Sequence, residues 1–416
     1  MATHSPHPSF WLANLERTQL PSAEDLPESV DVVVIGGGLT GVSTAYWLSS
    51  LGIEALLLEK GKLSSGATGR NGGHIVADSD TDFAVAIQQQ GLAEAKAILS
   101  FSRENFRQLH EFVEAHQVEC DFRTNDLVSL ALNAEQAAYL KQSCELMAAH
   151  GLISDFWDTQ EVTVRTQSDA FCAGLRMSGH GQLWPAKLVI ALAQQAIQQG
   201  AKLATHTLVK HVERHAVHIT VRTDRGDVQT KAVVYATNAL AYHLLPELKD
   251  IIKPVRGQAL ATAPAPRLWD FDWLANDGYE YAIQRVDGRI IFGGMRWRSP
   301  SKEEYIEDDV SIDHRVSQGL QAFLSDKFEP LRDIKIEYEW TGIMGFTPDE
   351  QPLIGELPHR PGEYIAAGFT GNGMSLGFLA GKVLAELIAG REGAPIPAAF
   401  APRRFSGTDV SWLKHN

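Results

Sequence analysis

The feature that most constrains this chain is a short apolar run that ends in glycines. Val32-Val33-Val34-Ile35 follows Asp31 and reads as a strand buried on both faces, because no polar residue interrupts it. Gly36, Gly38 and Gly41 then form GxGxxG, and a helix is expected from Leu39 to Leu51, stopped by Gly52. Glycine at these places permits a tight turn, close approach of backbone to a pyrophosphate, and packing of the helix on the strand. Ala55-Leu56-Leu57-Leu58 makes a second buried strand ending at Glu59. A carboxylate there can accept from ribose hydroxyls and would repel a 2′-phosphate, so NADP is disfavoured. The unit suits NAD and the AMP half of FAD equally.

The 416 residues are enough for two or three domains. Residues 1–28 read as a leader whose aromatics, Phe10 and Trp11, can dock onto the body. Residues 81–150 read as mostly helical, from Phe101, Phe106, Leu109, Phe112 and Val113 at helical spacing and the helix formers of Ala134 to Ala149. A helix is expected from Pro185 to Gln199, then a meander of strands Leu208 to Val212, Val217 to Arg222 and Val228 to Tyr235. Short strands around Ala282 to Gln284 and Arg289 to Phe292 flank the Asp287-Gly288 turn, which argues a separate antiparallel sheet. A last buried strand, Tyr364 to Ala367, leads through Gly368 to Gly373 into a helix from Met374 to Ile388.

With 37 Lys+Arg against 51 Asp+Glu the net charge is −14, which repels nucleic acid and anionic lipid. The acidity serves solubility or draws in a cationic substrate. The three cysteines, Cys120, Cys144 and Cys172, cannot pair completely, which fits a reducing compartment. With no signal peptide, spanning run or peroxisomal C-terminus evident, the expectation is a cytoplasmic protein without membrane or nucleic-acid partners. His206, His211, His215 and His218 straddle two strands and read as a solvated hairpin face, not a metal site. Asp349 reads as loop support.

Two further segments decide between the dinucleotides. Ser64-Ser65-Gly66-Ala67-Thr68-Gly69-Arg70-Asn71-Gly72-Gly73-His74 offers backbone N–H groups and an arginine to a long extended cofactor. Gly368-Phe369-Thr370-Gly371-Asn372-Gly373-Met374 is a strand-to-helix turn whose helix N-terminus can face an anion. With these motifs, the chain resembles the FAD-dependent oxidoreductases of the D-amino acid oxidase type, including glycine oxidase, monomeric sarcosine oxidase and γ-glutamylputrescine oxidase. The resemblance spans nearly the full length. It also rests on Gly181 through Pro185, Tyr235-Ala236-Thr237-Asn238-Ala239, Pro254-Val255-Arg256-Gly257-Gln258, and Trp340 to Gly355. The SGATGRNGG and TNA forms look most like the γ-glutamylputrescine oxidase branch.

The resemblance implies an α/β plus antiparallel β fold, with a Rossmann-like FAD-binding domain of the glutathione-reductase type and a mostly antiparallel substrate domain. The expected division is a leader (1–28), FAD-binding parts (29–80, 151–240, 336–416) and substrate parts (81–150, 241–335). Noncovalent FAD would be held by Gly36, Gly38, Leu39, Thr40, Gly41, Glu59, Lys60, Ser65, Ala67, Thr68, Arg70, Asn71, Gly72 and Gly73. Val209, Ala236, Thr237, Gly342, Gly371, Asn372, Gly373 and Met374 complete that set. The expected reaction removes a hydride from the carbon beside nitrogen in a small amine, and water hydrolyses the imine. The electrons pass to O₂ or another acceptor.

The resemblance implies three substrate-site residues: His74, which could also carry a covalent flavin bond, Tyr281 and Met344. Met344 stands where glycine oxidase carries an arginine that clamps the substrate carboxylate, and a buried carboxylate needs a cationic partner. An amine without an α-carboxylate clamp is therefore favoured. Arg285, Arg289 and Arg296 are candidate substitutes for an amino-acid oxidase, each read first as a solvated sheet-edge residue. Ile291 matches the position of a sarcosine oxidase lysine used for oxygen reduction, which keeps a dehydrogenase open. A flavin-binding protein without catalysis is the third reading.

Overall fold

The computed structural model describes residues 7–16, 20–77, 83–276 and 278–405. The last three residues and parts of the leader lie outside these ranges. Two sheets organise the chain. In the first, Ser29–Ile35 lies at the centre, parallel to Ala55–Leu58 on one side and to Asp227–Tyr235 on the other. Lys202–Ala204 and Glu363–Ala367 extend it in parallel, and Leu353–Glu356 closes one edge antiparallel. Val32, Val34 and Leu57 face one way, onto the helices Leu39–Ser50, Pro185–Gln198 and Gly373–Ile388. Val33, Ile35 and Leu56 face the other, with Tyr235 and Ile252. Side chains alternate along a strand, so a sheet covered on both faces needs an unbroken apolar run.

The meander forms as expected, although its middle strand is Ile219–Thr223. Val217 sits in the turn before it, 88% exposed, because apolar character alone does not mark where pairing begins. The four histidines lie on or beside this hairpin, and His215 stacks on His218.

The second sheet runs from Ile336–Phe346 through Lys253–Thr262, Ile290–Gly293, Glu280–Gln284 and Phe271–Ala275 to Arg123–Ala131, Ala173–Gln182 and His74–Ile75. It is not wholly antiparallel, since Phe271–Ala275 pairs parallel with Arg123–Ala131. That strand also interrupts the stretch 81–150 expected to be mostly helical. Its partners lie far away in sequence, so no local periodicity announces it. Segments 29–80, 151–240 and 336–416 each contribute strands to both sheets, so the chain crosses between them repeatedly.

Alternation sorts the second sheet as well. Leu260, Ala282 and Phe292 pack beneath the helix His314–Lys327, while Ala259, Ile283, Ile291 and Trp340 meet Phe10, Trp11 and Trp184 on the opposite face. Trp11 is fully buried, so the aromatics of the leader dock. Arg285 is enclosed with them. It lies over the rings of Phe10 and Trp184 and is paired with Asp121 at 3.1 Å and Asp287 at 3.3 Å. It is therefore neither a solvated edge residue nor a substrate clamp, because the leader covers the edge it occupies. Arg289 is spent on Asp287 and Glu337.

A buried carboxylate ties this sheet to the strand carrying His74. Asp272 Oδ1 accepts from Gln182 Nε2 at 2.7 Å and Asn125 Nδ2 at 3.1 Å, and Gln182 is the strand partner of His74. Burial raises Asp272 from 3.8 to about 7, against the pull of Asn125, Arg123 and Arg267. Below about pH 4 the carboxyl is protonated in both folded and unfolded chains. As pH rises towards 7 only the unfolded chain ionises, so folding stability falls across that window. Asp272→Asn removes this loss and keeps the accepting oxygen. Thermal unfolding is expected to show its Tm exceeding that of the native protein by about 2–4 °C at pH 8, with the gap closing towards pH 4.

Candidate active site

Strand register builds the site. Ile35 is level with both Leu58 and Tyr235, and Tyr235 is level with Ile365. The turns that leave these strand ends therefore lie side by side at the carboxyl edge of the sheet, where open parallel sheets bind ligands. Gly36 adopts φ +114°, and a Cβ there would fall 2.5 Å from the Ala236 carbonyl oxygen. Gly371 adopts φ +91° in the second glycine turn, just before the helix Gly373–Ile388.

These turns open into a cavity of about 990 Å³ between the two sheets. Every residue expected to hold the cofactor lines it except Gly41. Gly41 lies behind the wall, where a Cβ would come within 1.9 Å of the Gly36 carbonyl oxygen, so its role is to let the helix approach. His74, Tyr281 and Met344 line the same space.

Glu59 accepts from Gly37 N through Oε2 and from Gly61 N through Oε1, both at 2.7 Å. Its carboxylate is thus fixed at the lip with lone pairs left over for a diol. Thr68 Oγ1 accepts from Leu39 N at 3.1 Å at the start of the first helix. Asn71 Oδ1 takes Gly73 N, and its Nδ2 donates to Thr68 O, which ties the loop to itself. Arg70 lines the cavity, but its guanidinium donates to Ser65 O and Thr341 O and pairs with Asp309. The arginine expected to meet the cofactor is therefore a brace between loop and second sheet. Three further donors hold the loop from outside: Ser9 Oγ to Gly69 O, Trp11 Nε1 to Asn71 O, and Trp340 Nε1 to Arg70 O.

Two buried polar atoms on the lining, Thr237 Oγ1 and Asn372 Oδ1, have no hydrogen-bond partner among the described residues. Buried polar groups are rarely left so, and together with the glycine turns and two helix N-termini they fit a long, polar, anionic cofactor. Asn238, part of the quoted TNA motif but not singled out, takes Gly368 N at 3.0 Å and shapes the second turn.

At the other end, His74 Nε2 lies 3.2 Å from Ala282 O. A carbonyl only accepts, so the neutral ring carries its proton on Nε2 and presents Nδ1 as an acceptor. Burial lowers this imidazole to about 4, so it is neutral at pH 7. Tyr281 meets His74 edge-on at 5.8 Å, and burial raises its hydroxyl to about 12. Met344 lies against Gly257 on the neighbouring strand. Ile291 is in the aromatic cluster and does not line the cavity. The sequence reading missed Tyr279 and Phe346 as wall residues. Phe346 stands two residues from Met344 on the same strand, where period-two alternation was the available signal, whereas Tyr279 lies in the turn before the strand Glu280–Gln284 and carried none. Asp349 pairs with Arg404 and bonds Gln351 N, as a loop support should.

Fold and site define a flavoenzyme. Residues 31–387 match the family of FAD dependent oxidoreductases, and the chain belongs to it; FAD is its cofactor. Among relatives, a gamma-glutamylputrescine oxidoreductase of Escherichia coli (strain K12) is 29% identical over 382 residues, covering 88% of this chain and 86% of that protein. A glycine oxidase of Geobacillus kaustophilus is 27% identical over 91% of this chain and 97% of its own length. The crystal structure of a glycine oxidase from Geobacillus kaustophilus superposes with TM-score 0.81 at 22% identity, covering 92% of this chain and all of that one. An L-proline dehydrogenase from P. horikoshii gives 0.78 at 26% identity, covering 91% and 98%. Among the described residues no helix is long and apolar enough to cross a membrane.

Glu59→Ala removes a charged acceptor from two backbone amides and from the lip of the cavity. Titration of apoprotein with FAD is expected to show affinity about ten- to a hundredfold weaker. The stabilisation of the protein by saturating FAD shrinks accordingly.

Proposed function

We propose that this enzyme oxidises the C–N bond of a small primary or secondary amine to an imine that water hydrolyses to a carbonyl compound. FAD, held noncovalently, accepts the hydride from the carbon beside nitrogen, and O₂ or another acceptor takes the electrons. The first sheet forms the cofactor-holding body and the second the substrate wall. The names of the relatives, a gamma-glutamylputrescine oxidoreductase and glycine oxidases, support a nitrogen compound as substrate.

One observation carries the choice of an amine: the wall formed by Tyr281, Met344 and His74 holds no ionised side chain at neutral pH. Aromatic and thioether surfaces desolvate an ammonium and so favour its neutral form, which is the form that gives up hydride. No side-chain base is then required. The N-terminus of the helix Gly373–Ile388 opens on the cavity through Gly373 and Met374, and its partial positive charge suits negative charge that builds up during the reaction.

An anaerobic panel of amines and matched amino acids, read as bleaching of the bound flavin, tests the proposal, and amines are expected to reduce it. An alkyl amine has a solution pKa of roughly 10, so kcat/KM is expected to climb through the neutral-to-alkaline range. His74→Asn should retain that limb, because the ring already lacks its extra proton at pH 7. A flat profile with a verified substrate, or failure of every amine, counts against the reading.

A further inference from the structure

We propose that the protein has a second ligand site, separate from the cofactor cavity, in which Arg123 and Arg267 together bind a phosphate group on the second sheet. The proposal is independent of which nitrogen compound is oxidised.

The pocket has a volume of about 370 Å³ and shares no lining residue with the cofactor cavity. It lies where the start of the strand Arg123–Ala131 meets the Asp287-Gly288 turn and the segment leading into Phe271–Ala275. In a chain of net charge −14, its wall carries Arg123, Arg267 and Arg285 against one carboxylate, Asp287. That carboxylate is already engaged, with Arg285 at 3.3 Å and Arg289 at 3.2 Å. Arg285 takes Asp121 as well. The excess positive charge therefore belongs to Arg123 and Arg267.

Each of these two arginines makes a single hydrogen bond among the described residues, and both bonds go to the same oxygen. Gln284 O accepts from Arg123 Nη2 at 3.2 Å and from Arg267 Nη1 at 2.9 Å. Arg123 Nε is buried without a hydrogen-bond partner among the described residues. A guanidinium carries five donors in one plane, so a shared carbonyl leaves most of both groups unanswered. Partial desolvation, and then the charge of Arg123, lower the Arg267 pKa from its ordinary value, so the two cations feel one another. Asp272, the buried carboxyl on which both act, takes its hydrogen bonds from Gln182 and Asn125 instead, and burial raises it to about 7. An anion seated between the guanidiniums turns their repulsion into two attractions.

The backbone beneath both cations is fixed. Arg123 is paired with Gln182 across the sheet. Gln284, 1% exposed, clamps the residues on either side of Arg267: its Nε2 donates to Pro266 O and its Oε1 accepts from Leu268 N, both at 2.8 Å. Ala265 N donates to Gly288 O at 3.0 Å and closes the rim. One buried glutamine thus offers its carbonyl to both guanidiniums and its side chain to the segment that carries one of them. The pair matches a phosphate better than a carboxylate, because two cations balance a dianion and its several oxygens can accept from both planar groups at once.

Calorimetric titration of the FAD-saturated holoenzyme at constant ionic strength tests the site with the cofactor cavity filled. Inorganic phosphate and glycerol 3-phosphate are the probes, and chloride is the control. Saturable binding of a phosphate probe with a Kd of about 1 mM or tighter is expected, and none of chloride. Tighter binding of inorganic phosphate assigns the free ion, and tighter binding of glycerol 3-phosphate assigns an ester; each supports the site. Arg267→Gln, at an exposed position, and Arg123→Gln should each weaken binding about tenfold or more. Arg267→Lys should restore part of the loss. Arg222→Gln, on the hairpin of the first sheet, should leave affinity unchanged. Flavin absorbance and Tm check that each variant is folded. The proposal is overturned by absence of saturable phosphate binding below about 10 mM, by native affinity in Arg267→Gln, or by an equal loss in Arg222→Gln, which marks a general charge effect. Failure of every amine to bleach the flavin leaves this titration able to decide the site.

Discussion

The rest of the structure depends on a matter of register: three parallel strands end at the same level. Ile35, Leu58 and Tyr235 are paired across the sheet, so the residues that follow them must emerge together. Hydrogen-bonded strands lie only about 5 Å apart, which leaves the emerging turns no room for side chains that point at one another. Glycine at 36 and small residues at 236 and 237 answer that constraint. The fixed Glu59 carboxylate and the unpartnered Thr237 hydroxyl are placed by it. The cofactor site is thus a consequence of how the sheet is paired more than of any single side chain.

The second sheet is held against this edge by the loop 64–73, and the loop is itself held from three directions. Arg70 binds it to the strand Ile336–Phe346, Trp340 binds back to Arg70, and the leader supplies Ser9 and Trp11. Three of these donors bond backbone carbonyls of the loop. This bracing explains why a segment rich in small residues can form a defined wall of the cavity.

What the sequence made legible follows from where the physics is local. Unbroken apolar runs and glycine turns report their own environment, so the central strands of the first sheet and its two glycine turns could be read directly, whereas many other lining residues, Val209 and Gly342 among them, followed only from the family resemblance. Arg123–Ala131 and Ala173–Gln182 were illegible as sheet members, because they mix polar and apolar residues and find their partners only in three dimensions. Arg285 was misread for a related reason: its burial is imposed by Phe10 and Trp11 from the far end of the sequence. Arg296 looked like its neighbours in composition, yet it lines the cavity, behind a turn at Gly294 and Met295 that is visible only as backbone geometry.

The two helices that begin at the cavity pack side by side and run in the same direction. Gly377 abuts Thr40 and Leu39, and Gly381 abuts Ser43 and Thr44, so the contacts advance together along both chains. Ser43 Oγ bonds the Phe378 carbonyl between them. Parallel helices in contact place like ends of their dipoles together, which is mildly unfavourable, and both positive ends lie at the cavity wall. Neither helix has an acidic residue in its first turn to offset this. Only the first takes a hydroxyl, from Thr68, on its leading amide. A negatively charged group in the cavity would offset this, which suits an anionic cofactor. The glycines at 377 and 381 let the helices pack this closely, so both N-termini reach the same cavity wall as a result of one small-residue contact.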